Sequence, residues 1–220
     1  PKGDFVIYNT NCHVYVGEPL TLNDERFGSS YADRTKKISR FFKQEFNKIR
    51  LNAEDADYFK QKLFLNFLYK EHGILNTVKA DFKQHKAIYH QLFHLISDKA
   101  SIAHITADFG QLDFLLVNQF PSRKVHTYNL NEENRSIAKA SYINQKFKIK
   151  YADDLAEIWQ NSNVLILSHL QQFNNDIPQN INQIVVVCCK FKPNFTGFTQ
   201  TQDQLKIQVF QRYKTTLMRL

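Results

Sequence analysis

The segment 106–110 (TADFG) has the position and composition of a turn that binds a nucleotide or a related cofactor. It lies between an apolar strand predicted over 102–105 and a helix predicted over 110–119, and cofactors of α/β proteins bind at such strand-to-helix turns. Turns of this kind usually contain several glycines, because only a backbone without Cβ can approach the ligand closely. This segment contains one, Gly110. The sequence therefore predicts the scaffold of a cofactor site that has lost much of its contact chemistry.

The histidines provide no clear catalytic or metal centre. His90 and His94 are spaced one helical turn apart, which can chelate zinc, but no neighbouring acid or cysteine supplies a third ligand. We interpret them as a pair on one helix face and predict no metal site. His104 lies within an apolar strand, and it is predicted to be a buried, hydrogen-bonded core residue rather than a base.

Four aspartates stand close to predicted helix starts. Asp108 and Asp113 flank the turn, and Asp153 and Asp154 precede a helix predicted over 154–160. A carboxylate at such a position commonly accepts a hydrogen bond from the first helical turn. Helix capping is therefore the structural interpretation of these residues.

Composition favours a packed globular protein and argues against a nucleic-acid partner. Of the 220 residues, 43% are apolar and 14% are aromatic, which excludes a disordered chain. The net charge of +8 is spread evenly, since residues 1–99 carry 16 basic and 12 acidic side chains and residues 100–220 carry 13 and 9. A nucleic-acid-binding protein more often concentrates its positive charge on one element. An even excess fits proximity to anionic partners, membrane surfaces included.

The cysteines and the apolar runs bear on location. Cys12, Cys188 and Cys189 lack metal-ligand spacing and indicate a reducing compartment. No apolar run reaches the roughly 20 residues that span a bilayer, and no signal peptide is visible. We predict a cytoplasmic location, either free or at the inner face of a membrane. Because the chain starts at Pro1 without a methionine, we also expect it to be a piece of a longer protein.

Hydrophobic periodicity divides the chain into a helical first part and an alternating second part. A hairpin over 5–8 and 12–16 precedes helices predicted from about 30 to 51, from about 53 to 73 and from about 76 to 96. Strands are predicted at 102–106, 125–129, 147–151, 163–168, 184–190 and 205–210. Helices of the second part are predicted at 110–119, 131–145, 154–160 and 170–180.

This alternation predicts an α/β fold with a mostly parallel sheet that carries helices on both faces. The last two strands have no helix-length connection, because residues 192–203 are polar and turn-rich. An antiparallel last strand at the edge of the sheet is therefore expected.

The first 50 residues resemble the C-terminal end of a lysophospholipid acyltransferase of the glycerol-phosphate acyltransferase class. The matching features are Lys2-Gly3 before the first strand, Gly17-Glu18-Pro19 after the second, and a closing helix that holds Arg34-Thr35. That family works through a His-x-x-x-x-Asp motif, in which the histidine deprotonates the acceptor hydroxyl and the aspartate orients the imidazole. No histidine of this chain is followed by an aspartate at that spacing. The resemblance therefore implies no acyl transfer by this chain itself and no catalytic residue in it.

The part from about residue 101 onward resembles a class I methyltransferase that binds S-adenosylmethionine. The first motif of that family reads apolar-apolar-Asp-apolar-Gly-x-Gly-x-Gly. Aligned on this chain, the aspartate becomes His104, the first two glycines become Thr106 and Asp108, and only Gly110 is kept. The resemblance implies a Rossmann-like fold with an antiparallel last strand, and S-adenosylmethionine as the cofactor.

Two further positions carry over from the methyltransferase resemblance. The acid that closes the second strand and holds the ribose falls at Asn129, and the acidic contact to the adenine amine falls at Asp153. The implied cofactor site consists of Thr106, Asp108, Gly110, Asn129 and Asp153.

Together the two resemblances imply the C-terminal part of a bacterial multidomain lipid protein. The predicted domains are an acyltransferase-like tail at 1–52, a helical connector at 53–99 and a methyltransferase-like domain at 100–220. The implied partners are the upstream acyltransferase domain of the same protein and a membrane surface, which the lysines around Lys36, Lys37 and Lys43 could meet.

Three functions remain open at this point, the third of which is a basic module that docks on a membrane or a protein through Lys36, Lys37 and Lys43. The leading hypothesis is a structural or regulatory methyltransferase-like domain without catalysis, because two lost glycines and one lost acid remove several contacts to the cofactor. The alternative is an active S-adenosylmethionine-dependent methyltransferase with a divergent loop. It predicts an open cavity over Asp108, Asn129 and Asp153.

Overall fold

The computed structural model describes residues 24–140, 149–189, 194–204 and 207–212, together with Val16, Pro19 and Thr21. The chain divides into two compact units, Pro1–Ala53 and Glu54–Leu220. The hairpin predicted over 5–8 and 12–16 lies outside the described residues except for Val16.

The first unit contains one long amphipathic helix. A short 3₁₀ turn, Glu25–Phe27, is capped by the Asp24 carboxylate and precedes helix α1, Tyr31–Ala53. The helix confirms the one predicted from about 30 to 51. It buries none of its side chains, and Phe42 and Phe46 are 57% and 62% exposed. Among the described residues of the whole chain, no helix has the length and apolar character needed to cross a bilayer.

The described part of the second unit contains five helices and seven strands. The helices are α2 (Ala56–Asn66), α3 (Ile74–Leu95), α4 (Gln111–Gln119), α5 (Glu132–Lys139) and α6 (Leu155–Trp159). The strands are β1 (Ser101–Thr106), β2 (Lys124–Asn129), β3 (Ile149–Ala152), β4 (Val164–Ser168), β5 (Gln183–Val187), β6 (Phe198–Gln204) and β7 (Ile207–Arg212).

All seven strands form one sheet in the order β3-β2-β1-β4-β5-β7-β6. The first five are parallel, β7 is antiparallel to β5, and β6 is antiparallel to β7. This is the Rossmann-like class I methyltransferase topology, and the predicted fold class is confirmed. The order reverses beside β1, so the carboxyl ends of β1 and β4 flank the crevice where open α/β sheets bind their ligands.

Alternate residues of each strand enter two separate cores, as strand geometry requires. Ile102, Val125 and Ile166 pack with α2, α3 and α4 on one face. Ala103 and Leu165 belong to the core of the opposite face. The helices of 53–99, predicted as a connector, share the first core with the sheet.

Two details of the predicted second part are wrong. Segment 170–180 is not a helix, although Leu170, Phe173 and Ile177 have helical spacing. Pro178 and the asparagines before it disfavour a helix, and the apolar side chains reach the second core from an irregular backbone. In addition, β7 is antiparallel as expected but does not form the sheet edge, because the turn-rich segment before it supplies the edge strand β6.

Candidate functional site

The turn after β1 satisfies its own backbone donors. The N–H of Asp108 donates to Thr106 Oγ1 (3.2 Å), that of Phe109 to Gln111 Oε1 (2.8 Å), and that of Gly110 to Asp108 Oδ1 (2.7 Å). Three consecutive N–H groups, which in a cofactor-binding turn would face the ligand, are thus already paired with side chains of the turn and of α4. A ligand could reach them only by displacing these side chains.

Gly110 is required by its neighbours within the protein. It has a left-handed backbone with φ of +80°, which glycine adopts without steric cost. A Cβ at this position would overlap with the Tyr151 hydroxyl and would lie 3.4 Å from Ala138 Cβ. The one glycine kept from the motif therefore makes room for β3 and α5.

Asn129, at the position of the ribose acid, holds the turn in place. Its Nδ2 donates to the Asp108 carbonyl oxygen (2.5 Å), and its Oδ1 accepts from the Asn131 N–H (2.9 Å). The residue is 2% exposed. Its amide is therefore an internal clamp between the ends of β1 and β2.

Asp153 lies apart from the turn, in an ion-pair cluster with α5. Its carboxylate is 2.6 Å from Lys139 Nζ and 3.7 Å from Arg135 Nη1, with a side chain 71% exposed. The hydrogen bond from Lys139, aided by its charge, lowers the pKa of Asp153. The predicted helix capping is confirmed for Asp154, which accepts from the Ala156 N–H, but not for Asp153.

The structure thus joins four of the five predicted site residues through hydrogen bonds around one turn, namely Thr106, Asp108, Gly110 and Asn129. It does not connect Asp153 to them. The assignment of the five residues to a cofactor site stays a prediction.

A buried polar network lies beneath the turn. His104 Nδ1 is 2.5 Å from Asp113 Oδ1, and His104 Nε2 is 2.7 Å from Ser168 Oγ. The Ser168 hydroxyl donates to Thr106 Oγ1 (2.9 Å), and the Thr127 hydroxyl donates to Asp113 Oδ2 (2.8 Å). His104 is therefore the hydrogen-bonded core residue that the sequence predicts. Asp113 does not cap α4, because its carboxylate points into this network.

The network contains a serine, a histidine and an aspartate in the sequence of contacts used by hydrolases. All three side chains are at most 1% exposed, so a substrate cannot reach the serine. Burial alone lowers the pKa of His104, but the charge of Asp113 and its hydrogen bond outweigh burial and raise that pKa. The arrangement is a buried charged pair that ties β1, β4 and α4 together.

A cavity of about 260 Å³ lies on the opposite face of the sheet from this network. Its walls include Ile105, Tyr128, Leu130, Leu155, Leu170 and Phe173. Small-molecule sites commonly measure roughly 300–1,000 Å³, so this cavity has room for a part of a large cofactor such as a ring system.

The cavity is lined by the residues that directly precede Thr106 and Asn129 in their strands. Thr106 and Asn129 point to the face of α3 and α4, whereas Ile105 and Tyr128 point to the opposite face and line the cavity. None of Asp108, Asn129 and Asp153, over which an open cavity is expected, lines this cavity.

A second polar cluster at this end of the sheet was not predicted. Asp81 and His85 on α3 and His169 after β4 place one potential ligand atom each within 4.8 Å of one another. The spacing of Asp81 and His85, one helical turn, is visible in the sequence. His169 is 84 positions away from His85, and no local pattern connects them.

Several solved structures are similar to this chain in fold. No protein-family model matches the sequence, and no curated protein sequence matches it. A methyltransferase from Geobacter sulfurreducens is similar with a TM-score of 0.47 and 9% identity, over 66% of this chain and 90% of that one. TrmK of M. capricolum in complex with S-adenosyl-homocysteine gives 0.41 and 14%, over 56% and 66%.

TrmN of Thermus thermophilus gives a TM-score of 0.39 and 9% identity, over 56% of this chain and 48% of that one. The chain thus spans about half the length of TrmN and two thirds of TrmK. The class of the fold rests on the strand order described above.

Proposed function

We propose that the unit Glu54–Leu220 is a methyltransferase-like domain that does not catalyse methyl transfer and has a structural or regulatory role in lipid metabolism. This proposal rests on the turn after β1, whose backbone N–H groups are already hydrogen-bonded within the protein. The N–H groups of residues 108–110 donate to internal side chains, and Asn129 clamps the same turn.

Displacing those contacts would be costly. Each internal hydrogen bond contributes about 0.5–1.5 kcal/mol, and a buried group left without a partner costs about 1–3 kcal/mol. A cofactor that entered the turn would have to break several such bonds, and Thr106 and Asp108 would occupy space that glycines leave free. This cost supports a loss of cofactor binding.

We further propose that this unit is attached to the end of a glycerophospholipid acyltransferase. The support is the resemblance of the first 50 residues, together with the uncovered aromatic side chains Phe42 and Phe46 on α1. An amphipathic helix that buries no side chain is expected to be covered by another part of its protein. The acyltransferase chemistry would then belong to that other part.

Titration calorimetry of the chain with S-adenosylmethionine and with S-adenosyl-homocysteine tests the absence of cofactor binding. We expect no binding at micromolar ligand, because the donors of the turn are occupied. Micromolar affinity for either compound would overturn the proposal.

The alternative is an active methyltransferase with a divergent loop, and the cavity beside Leu130 and Leu155 favours it. In that case S-adenosylmethionine would bind with an apolar ring contact to Leu130, which is 58% exposed and tolerates substitution. The variant Leu130→Asp would then weaken binding strongly, whereas Asp154→Asn, outside the cavity lining, would not. Equal effects of the two variants would exclude this cavity as the site.

A membrane surface is the second proposed partner. Lys36, Lys37 and Lys43 are exposed on α1, and about 1 kcal/mol of attraction to anionic lipid is expected for each lysine near the surface. Co-sedimentation with anionic vesicles should fall when all three are changed to Glu. Unchanged sedimentation, or equal binding to neutral vesicles, would contradict this partner.

A further inference from the structure

Three side chains from two distant parts of the chain meet beside the turn. On α3, Asp81 Oδ1 lies 2.9 Å from His85 Nδ1. The His85 ring packs edge-on against the ring of His169, with 5.1 Å between the centroids and 71° between the planes. His85 is buried, and the other two residues are half-buried.

These distances are compatible with one shared metal ion. Ligand atoms bound at about 2.0–2.2 Å lie at most about 4.4 Å apart, and the atoms here lie within 4.8 Å of one another. Two imidazoles on one tetrahedral ion have ring centroids about 5 Å apart. Small rotations of the side chains therefore suffice to bring the three ligands to bonding distance.

The surrounding residues hold this geometry. The Tyr89 hydroxyl donates to Asp81 Oδ2 (2.6 Å), and Gln111 Nε2 approaches the same oxygen at 3.4 Å. The backbone N–H of His169 donates to the Val187 carbonyl (3.1 Å), which fixes the start of the loop after β4. Contacts of this kind orient metal ligands in many proteins.

We propose that Asp81, His85 and His169 bind a divalent first-row transition-metal ion of the zinc type. Two imidazoles and a carboxylate suit zinc and its neighbours, whereas magnesium and calcium prefer sites built from oxygen alone. Ligation of His85 through Nδ1 would replace its hydrogen bond to Asp81, with the ring hydrogen then on Nε2. None of these three residues belongs to the predicted cofactor site.

The site lies at the carboxyl end of β4, at the edge where ligands of open α/β sheets bind. His169 follows β4 directly. The ion would therefore link α3 to the end of β4.

The experiment uses the full chain, stripped with a chelator and titrated with ZnCl₂ alone, with MgCl₂ as the second arm. We expect one zinc ion per chain with micromolar or tighter affinity, a rise in melting temperature, and no response to magnesium. Cobalt(II) should give the visible absorption of a four- or five-coordinate site. No zinc binding by the wild-type chain would overturn the proposal.

The variants separate this site from the surface pair His90 and His94, whose Nε2 atoms are 3.4 Å apart. We expect His85→Gln and His169→Asn to weaken zinc binding by roughly 100-fold or more, since each removes a ligand. Asparagine suits position 169, because the residue has φ of +58° and asparagine tolerates that region. The double variant H90Q/H94Q should bind as the wild type does.

Loss of binding in H90Q/H94Q, with binding kept in His169→Asn, would assign the zinc to the surface pair and overturn the proposal. Circular dichroism checks that each variant is folded. If His85→Gln fails to fold, His169→Asn decides the question.

Discussion

At the scale of single residues, the positions that the family motif reserves for a cofactor hold the protein together. Asp108 binds its own turn, Asn129 ties the turn to the end of β2, and Gly110 yields space to Tyr151. Polar groups buried in this way are stabilising only while every partner is in place. Changes at these residues should therefore alter stability before they alter any affinity.

The substitution Gly110→Ala is expected to destabilise the protein more than Gly73→Ala. Both glycines have positive φ, +80° and +92°, and a left-handed alanine costs about 1–2 kcal/mol at either site. Only at Gly110 does the new Cβ meet another atom closely, the Tyr151 hydroxyl. Overpacking should add roughly 1–3 kcal/mol there. Urea denaturation of the two variants measures the difference.

Gly73 is the matched control, because nothing lies within 4 Å of the Cβ that alanine would add there. In a Tyr151→Phe background the extra cost at Gly110 should shrink, since the overlapping hydroxyl is gone. Equal free-energy changes for the two glycine variants would contradict the steric account.

The buried pair of His104 and Asp113 predicts a pH dependence of stability. The pKa of His104 is raised in the folded state, because Asp113 outweighs the opposing effect of burial. Its contribution is therefore complete below the unfolded pKa of about 6.5 and is lost as the pH rises through the folded pKa. We expect the free energy of unfolding to fall as the pH rises from about 6.5 through the raised folded pKa of His104.

His104→Gln should remove most of that fall, as measured by urea denaturation across the range. His126→Gln is the control, because burial and the nearby Lys150 and Lys124 lower the pKa of His126. That variant should keep the fall. A stability that rises with pH in the wild-type chain would show that the pair is not protonated as described.

At the scale of elements, Arg123 connects the ends of two helices through hydrogen bonds. It is fully buried, and its guanidinium donates to the carbonyls of Phe93, Ile96 and Ser97 at the end of α3. It also donates to the Leu116 carbonyl of α4. A cation at helix C-termini is favourable, and here it also donates hydrogen bonds to buried carbonyls near the two helix ends.

Arg123→Met should cost about 3 kcal/mol or more, because several buried carbonyls lose their donor. Arg123→Lys should recover less than half of that, since one ammonium cannot reproduce the planar fork. Lys124→Met is the control at the exposed neighbouring position and should change little. Thermal and urea denaturation measure all three, and near-wild-type stability of Arg123→Lys would contradict the role of the fork.

At the scale of the whole molecule, the boundary of the second unit is open to a direct test. The unit begins at Glu54, and α2 and α3 share a core with the sheet. Phe59, Leu63 and Leu92 are at most 3% exposed in that core. A chain of residues 54–220 should therefore unfold cooperatively with the stability of the full chain.

A chain of residues 100–220, which starts at the predicted methyltransferase-like domain, should fail to fold. Removal of α2 and α3 would expose Leu115 and Leu116 of α4, and each buried leucine contributes about 1.5–3 kcal/mol. Heteronuclear NMR spectra and denaturant melts compare the two chains. A cooperative transition in 100–220 would show that the helices at 53–99 are a true connector.

The sequence by itself determined the class of fold and the location of the turn. Hydrophobic repeats of about two and 3.6 residues depend on neighbours in the chain, so they identified six of the seven strands, most helices and the parallel order of the second unit. They also placed the segment 106–110 at a ligand-binding edge and His104 in the core. The helix predicted at 170–180 shows the limit of such repeats, because Pro178 overrides them.

Only the tertiary structure decided which atoms of that edge meet. Asn129 and Asp108, 21 positions apart, and His85 and His169, 84 positions apart, are brought together by sheet order and helix packing. A family motif likewise marks positions without saying to which side of the sheet their side chains point. That direction follows from strand register, and it separates the predicted cofactor residues from the cavity. The physical reason is that hydrogen bonds and ligand geometry depend on distances in space, whereas sequence patterns report only distances along the chain.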